Sequence, residues 1–363
     1  MKNLATLLIF VFVNIICAQN MDLVDVTSEI VNPKKYKAAR TFEKMAIDGL
    51  ASEKSWSTVP FSEDFIDIEG IKKPKFETRF KMLWDEKFLY IFAVLEEPHI
   101  WGNLKQRDTV IFYNNDFEVF ISPSGKTQNY AEIEVNALNT VWDLLLDKPY
   151  RDGGKANNQW NLDNLKSAVS YNGTINNATD IDKSWNVEMA IPLDALMDLK
   201  DKPRNLPKEG ELWRINFSRV QWDYNVKNEK YYKARKKDGT LKPEYNWVWS
   251  NQKVINMHEP EKWGILQFTE NTSSQNVVFS ENKMILFQQV AYALFRKTKF
   301  GSLQDLLKKD LGYKQEFNIV YSEEKNLKAT YNKTNFGFEY VLKIPKTDSI
   351  IMINESGYLK IMQ

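Results

Sequence analysis

The stretch that decides the fold is Asn114 to Leu146, NNDFEVFISPSGKTQNYAEIEVNALNTVWDLLL. Polar and apolar residues alternate along it with a period of two, the pattern of strands that turn one face to a core and the other away from it. In the first run Asp116, Glu118 and Phe120 alternate with Phe117, Val119 and Ile121. In the second Glu132, Glu134 and Asn136 alternate with Ile133, Val135 and Ala137. Pro123-Ser124-Gly125 breaks the first run from the second, as a turn between antiparallel neighbours does. Downstream, WRINFS repeats the device, with Arg214, Asn216 and Ser218 opposite Trp213, Ile215 and Phe217.

Working outward, further short apolar runs are predicted as strands at Phe80 to Leu83, Phe88 to Leu95, Thr109 to Phe112, Val141 to Leu146, Trp185 to Ile191, Trp213 to Gln221 and Trp263 to Phe268. Such a succession with few helical periods argues for an antiparallel, jelly-roll-like β-sandwich over residues 39–268. ENTSSQN then reads as a linker (269–280). Residues 281–363 read as a small C-terminal α+β module, with a helix at Glu281 to Lys299, a second at Ser302 to Leu311 and a strand meander after them.

The composition narrows the functional classes. Lys and Arg number 49 against 48 Asp and Glu, a net charge of +1, so no long-range field favours nucleic acid or an anionic membrane. Residues 1–19 have the layout of a secretory signal peptide, with one Lys and an apolar run from Leu4 to Ile16. This predicts a secreted, periplasmic or cell-surface protein. Ile16 suits a lipobox poorly, so cleavage near Ala18 is expected over lipid attachment at Cys17, the single cysteine. No later run is long enough to span a bilayer, and the sequence does not set the oligomeric state.

Aromatic residues make up 13%, with 11 Trp and 16 Tyr. Trp84, Trp185, Trp213 and Trp263 fall within strand patterns and are expected in the core. Trp247 and Trp249, with Asn246, read as loop residues able to stack on a flat ligand. The alternating carboxylate-and-amide face is either merely solvated or a polar trough, since these groups donate to and accept from sugar hydroxyls.

The strings AIDG (46–49), LWDEKFLYIFAVLEEPHIWG (83–102), NNDFEVFI, YAEIEVNALNTVWDLLL, PYRDGG, WNVEMAIP, WRINFSRVQW, NWVWS and INMHEPEKWG, in this order, resemble family 9 carbohydrate-binding modules and their DOMON-like relatives. The resemblance covers roughly Ala39 to Phe268. It implies a β-sandwich that clamps a sugar between aromatics beside charged and amide groups, and a binding protein rather than a catalyst, one acting in carbohydrate recognition or catabolism. Carried over position by position, it implies Phe112 or Tyr113 as the first aromatic, Glu118 as the carboxylate, and Asn246 and Trp249 as the late amide and indole. Glu134, Asn136 and Trp247 accompany them. The family's usual first Trp is here Phe or Tyr, which leaves the ligand class open.

Long insertions, Pro149 to Trp160 and Gln221 to Pro243, resemble those of stand-alone exported proteins from polysaccharide-degrading Bacteroidetes-type bacteria. In the first, Tyr150, Arg151 and Asp152 are candidates for ligand contact or for a salt-bridged loop cap. Some members hold structural calcium. Asp64 to Asp67 and Asp180 to Asp182 offer carboxylates for it without a fixed spacing, and no other cofactor is indicated.

Three rivals stay open. Glu118, Glu132, Glu134 and Glu188 are candidates for a glycosidase pair. Met257-His258 is a candidate haem ligand pair of the DOMON kind, although neighbours on a strand point to opposite sides. The third is a purely structural protein that docks a partner.

Overall fold

The protein is described here by a computed structural model covering residues 22–362. The predicted leader, Cys17 included, lies outside the described residues. As the alternation requires, Asp116–Ser122 and Tyr130–Asn136 pair antiparallel, with Glu118 opposite Glu134 and Val119 opposite Ile133. From this pair the sheet runs on one side to Val141–Leu146. On the other it runs to Leu212–Gln221, Gly264–Thr269, Lys35–Arg40, Thr78–Trp84, Phe88–Glu96, Ser184–Pro192 and Lys166–Asn172.

The sheet curls until its two halves face each other over one apolar core. Phe80, Ile91, Phe117, Ile133, Val187, Trp213 and Phe217 are buried in it. The sandwich is mainly antiparallel. Its seam is not: Lys35–Arg40 runs parallel to both Gly264–Thr269 and Thr78–Trp84. Thr109 to Phe112, expected as a strand, instead ends in a 3-10 turn at Ile111–Tyr113. That turn folds over the polar side of the sheet, and its Phe112 N–H donates to Glu134 Oε2 at 3.0 Å.

Trp84, Trp185, Trp213 and Trp263 are buried in the described structure. So are Trp247 and Trp249, which corrects their reading as loop residues able to stack on a ligand. Both follow from the strand Tyr245–Val248, whose odd-numbered side chains point into the sandwich. Trp249 packs edge-on against Phe80 with ring centroids 5.1 Å apart, and at 2% exposure offers no ring face to a sugar. The fit depends on Gly264, where an added Cβ would stand 2.2 Å from the Trp249 ring. Gly264→Ala is expected to destabilise the sandwich by about 3 kcal/mol, because an overpacked core must shift rigid neighbours. A thermal melt unchanged from wild type would contradict this packing.

The C-terminal strands form a separate six-stranded sheet, completed at its edge by Asp22–Asp25 running parallel to Lys314–Ser322. Helix Met284–Phe300 covers this sheet and builds a second core with Val290, Leu294 and Phe295. The second expected helix is a 3-10 segment, Gln304–Lys308. Arg214 joins the two units, donating to the carbonyls of Gly125 and Pro260 and to Gln288 on the helix.

Candidate functional site

On the polar side of the central strands the side chains stand in rows fixed by the register. Ser218, Glu118, Glu134 and Trp142 make one row; Asn216, Phe120, Glu132 and Leu144 make the next, and Asp116 lies opposite Asn136. The sequence left open whether this face is solvated. It is instead roofed by loops, and Asp116, Glu132, Glu134 and Asn136 are all buried.

Four carboxyl groups thus meet beneath these loops, at the floor of a covered well in which none is more than 6% exposed. Glu118, at 6% exposure, is the least covered of them. Carboxylate oxygens of Asp116, Glu118 and Glu134 lie within 4.8 Å of one another, the one such group of potential metal ligands among the described residues. Burial disfavours the charged form of each group, and their mutual repulsion adds to it. Burial, and then Glu244 at the rim, push Glu118 up to about 7 while the Ser218 hydroxyl donates to it. Asp116, Glu132 and Glu134 are displaced upward for the same reasons, burial first. One oxygen of Asp116 and one of Glu132 have no hydrogen-bond partner at all. The other Asp116 oxygen accepts from the Val220 N–H at 3.1 Å.

The rim brings together residues far apart in sequence. Tyr113 and Tyr150 are its exposed rings, at 53% and 44%. The Lys233 ammonium lies 3.4 Å from the centroid of Trp222 and 5.1 Å from that of Tyr113. Burial lowers its pKa to about 8. Trp222 is itself pinned, its Nε1 donating to the Phe112 carbonyl at 2.8 Å.

The structure divides the sequence-derived candidates. Glu118, Glu134 and Tyr113 converge on the well, and Phe112 is a half-buried part of its wall. Asn136 faces it but is consumed structurally: its amide donates to the Leu104 carbonyl and its oxygen accepts from Leu138 and Thr140 N–H. Asn246 shares the sheet face, opposite Val220, yet stands on the far side of the Leu212–Gln221 strand from Asp116. Trp247 and Trp249 are excluded by burial in the core. Arg151 pairs with Glu259 at 3.4 Å, the loop-cap role, while Asp152 is buried toward the C-terminal helix, where Arg296 acts on it. Only Tyr150 of that trio reaches the rim.

Other candidates are placed elsewhere. Glu188 holds the Asp48-Gly49 turn by accepting both N–H groups at 2.9 Å, on the opposite half of the sandwich. The Tyr130 hydroxyl and His258 Nδ1 share a hydrogen bond of 2.9 Å, and burial lowers the His258 pKa to about 4, so the ring stays neutral. Asp67 Oδ2 accepts from the Glu69 N–H at 3.1 Å, and the two Asp182 oxygens accept from the Ile100 and Thr174 N–H groups at 2.7 Å.

Asp116 was legible from the alternation but not singled out, and Glu132 was named only as a candidate for hydrolysis. Lys233 and Glu244 carried no signal, because they enter from the insertion 221–243 and just beyond it, more than 100 residues after Glu118.

A curled β-sandwich with an acidic, aromatic-rimmed well on one sheet face defines the class. The family model described as carbohydrate family 9 binding domain-like matches residues 47–271, and the chain belongs to that family. Among solved structures the chain is similar to a family 9 module from Caldicellulosiruptor kristjanssonii in complex with cellotriose, at 14% identity over 69% of this chain and 100% of that one, TM-score 0.42. The glucose complex of a family 9 module from that organism aligns at 14% identity over 67% and 99%, TM-score 0.42. A proposed carbohydrate-binding protein from Bacteroides uniformis aligns at 16% identity over 65% and 100%, TM-score 0.47. No curated protein matches.

Proposed function

We propose that this is an exported carbohydrate-binding protein that takes a sugar into the well above Glu118, serving recognition or uptake of polysaccharide fragments rather than bond cleavage. One observation carries the reading: a covered carboxyl cluster, 6% exposed at Glu118, beside the exposed rings of Tyr113 and Tyr150, within a family 9 domain. A carboxyl group displaced to about 7 exists in both forms near neutrality. It can therefore accept from one hydroxyl and donate to another. A tyrosine that covers on the order of 100 Å² of a sugar's apolar face adds about 2.5 kcal/mol.

The glycosidase reading has one observation in its favour, a buried acid of raised pKa. Hydrolysis also requires an ionised partner to act as nucleophile or base. Asp116, Glu132 and Glu134 are displaced upward alongside Glu118, burial first, so their surroundings disfavour the charged form that this role needs. No helix of the described residues is long and apolar enough to cross a membrane.

The test is calorimetric titration of soluble oligosaccharides into the chain lacking its leader. Tyr113→Ala should weaken binding about tenfold, roughly 1.4 kcal/mol, and leave the melting temperature unchanged because the ring is more than half exposed. Absence of heat and of fluorescence change across neutral and acidic oligosaccharides, from folded protein, would overturn the reading.

A further inference from the structure

Three carboxylates packed together against few cations pose a question of charge. Among the described residues, the cationic groups that act on Asp116 are Arg219 and Lys233. Arg219 is already committed, donating to Glu97 at 3.1 Å, to Gln221 at 2.8 Å and to Thr78 at 3.0 Å. Lys233 lies against Trp222 at the rim. The acidic floor is therefore left to be neutralised by protons or by an ion.

The geometry favours an ion. Three oxygens mutually within 4.8 Å share a point no farther than about 2.8 Å from each, close to the 2.3–2.6 Å of calcium–oxygen bonds. An all-oxygen donor set selects hard divalent cations over zinc or copper. Asp116, fully buried, has an oxygen with no hydrogen-bond partner, and Glu132 beside the group has another. A buried carboxylate oxygen left unpaired costs free energy that a cation would recover. Glu118 and Glu132, at 6% and 5% exposure, are the members of the cluster nearest solvent.

We propose that Asp116, Glu118 and Glu134 hold one calcium-type divalent cation at the floor of the well, and that its open coordination positions take hydroxyl oxygens of the bound sugar. Calcium takes six to eight oxygens, more than three carboxylates need supply. A vicinal diol entering between Tyr113 and Tyr150 would replace the ion's waters. The second half of the proposal rests on the carbohydrate-binding reading; the first does not.

The experiment separates the two. Chelator-stripped, leaderless protein is titrated with CaCl2 without sugar, then oligosaccharide binding is measured in CaCl2 and in EDTA. Expected are one calcium per chain, at least tenfold weaker binding in Asp116→Asn and Glu134→Gln, and at least tenfold weaker sugar binding in EDTA. Both substitutions remove charge from a like-charged cluster, so the fold is retained, and circular dichroism checks it. Displacement by calcium of terbium emission, sensitised by Trp142 in the row of Glu134, is the second readout. No calcium uptake, or uptake indifferent to both substitutions, would overturn the proposal. Sugar binding of equal strength in EDTA would overturn the coordinating role while leaving carbohydrate binding intact. Calcium uptake with no sugar bound under either condition would instead sink the carbohydrate reading and keep the ion.

Discussion

Trp249→Ala is expected to cost about 3–5 kcal/mol of folding stability, the range for emptying a large aromatic site in a close-packed core. The indole is buried against Phe80 and Phe217, and Gly264 lacks a side chain where the ring passes. A domain of ordinary stability has only about 5–15 kcal/mol in total. The substitution should therefore drop the urea midpoint steeply, and much of the chain should be unfolded at 37 °C. Tyr113→Ala, at a residue 53% exposed, should stay within about 0.5 kcal/mol of wild type. The contrast matters because loss of sugar binding in Trp249→Ala would report unfolding, not a missing stacking partner. A Trp249→Ala protein with an unchanged urea midpoint but no sugar binding would place the indole at the ligand and contradict its burial.

The strands flanking Glu118 were legible because a period-two pattern has one structural solution when one face must be apolar. The pattern fixes which side chains share a face, and Asp116, Glu118, Glu132 and Glu134 do share one. It does not say what lies above that face. The roof is built by Ile111–Tyr113, by the loop at Tyr150 and by Trp222 with Lys233, none of which follows from local periodicity. The misplacement of Trp247 and Trp249 has the same origin. Tyr245–Val248 is only four residues long, and its partners Ile66–Asp67 and Ser218 to Gln221 are distant in sequence. Its neighbours Asn246, Ser250 and Asn251 look like loop residues, yet Ser250 and Asn216 satisfy each other's polar groups, the Ser250 N–H donating at 2.9 Å. Asp22–Asp25 escaped notice because its partner is nearly 300 residues away and the parallel edge carries no turn signal.

In chelator-treated protein, folding stability is expected to fall as pH rises from about 4.5 to about 7. In the unfolded chain Glu118 titrates near the ordinary glutamate value of 4.5, whereas in the folded protein it titrates near 7. Between those values the folded state holds a proton that the unfolded state has released, so raising the pH favours unfolding. The stabilisation is complete below 4.5 and is lost as the pH passes through 7. At about 1.36 kcal/mol per pH unit, Glu118 alone accounts for about 3 kcal/mol. Asp116, Glu132 and Glu134 are displaced in the same direction, and the cluster titrates as a unit. Glu188, raised to about 7 by burial on the opposite half of the sandwich, contributes a slope of the same sign in every variant. The diagnostic quantity is therefore the difference between wild type and Glu118→Gln, whose melting temperature should decline less between pH 5 and pH 8. Equal slopes in the two proteins would mean that Glu118 is not held in a buried, like-charged cluster, and would remove the physical basis of the site.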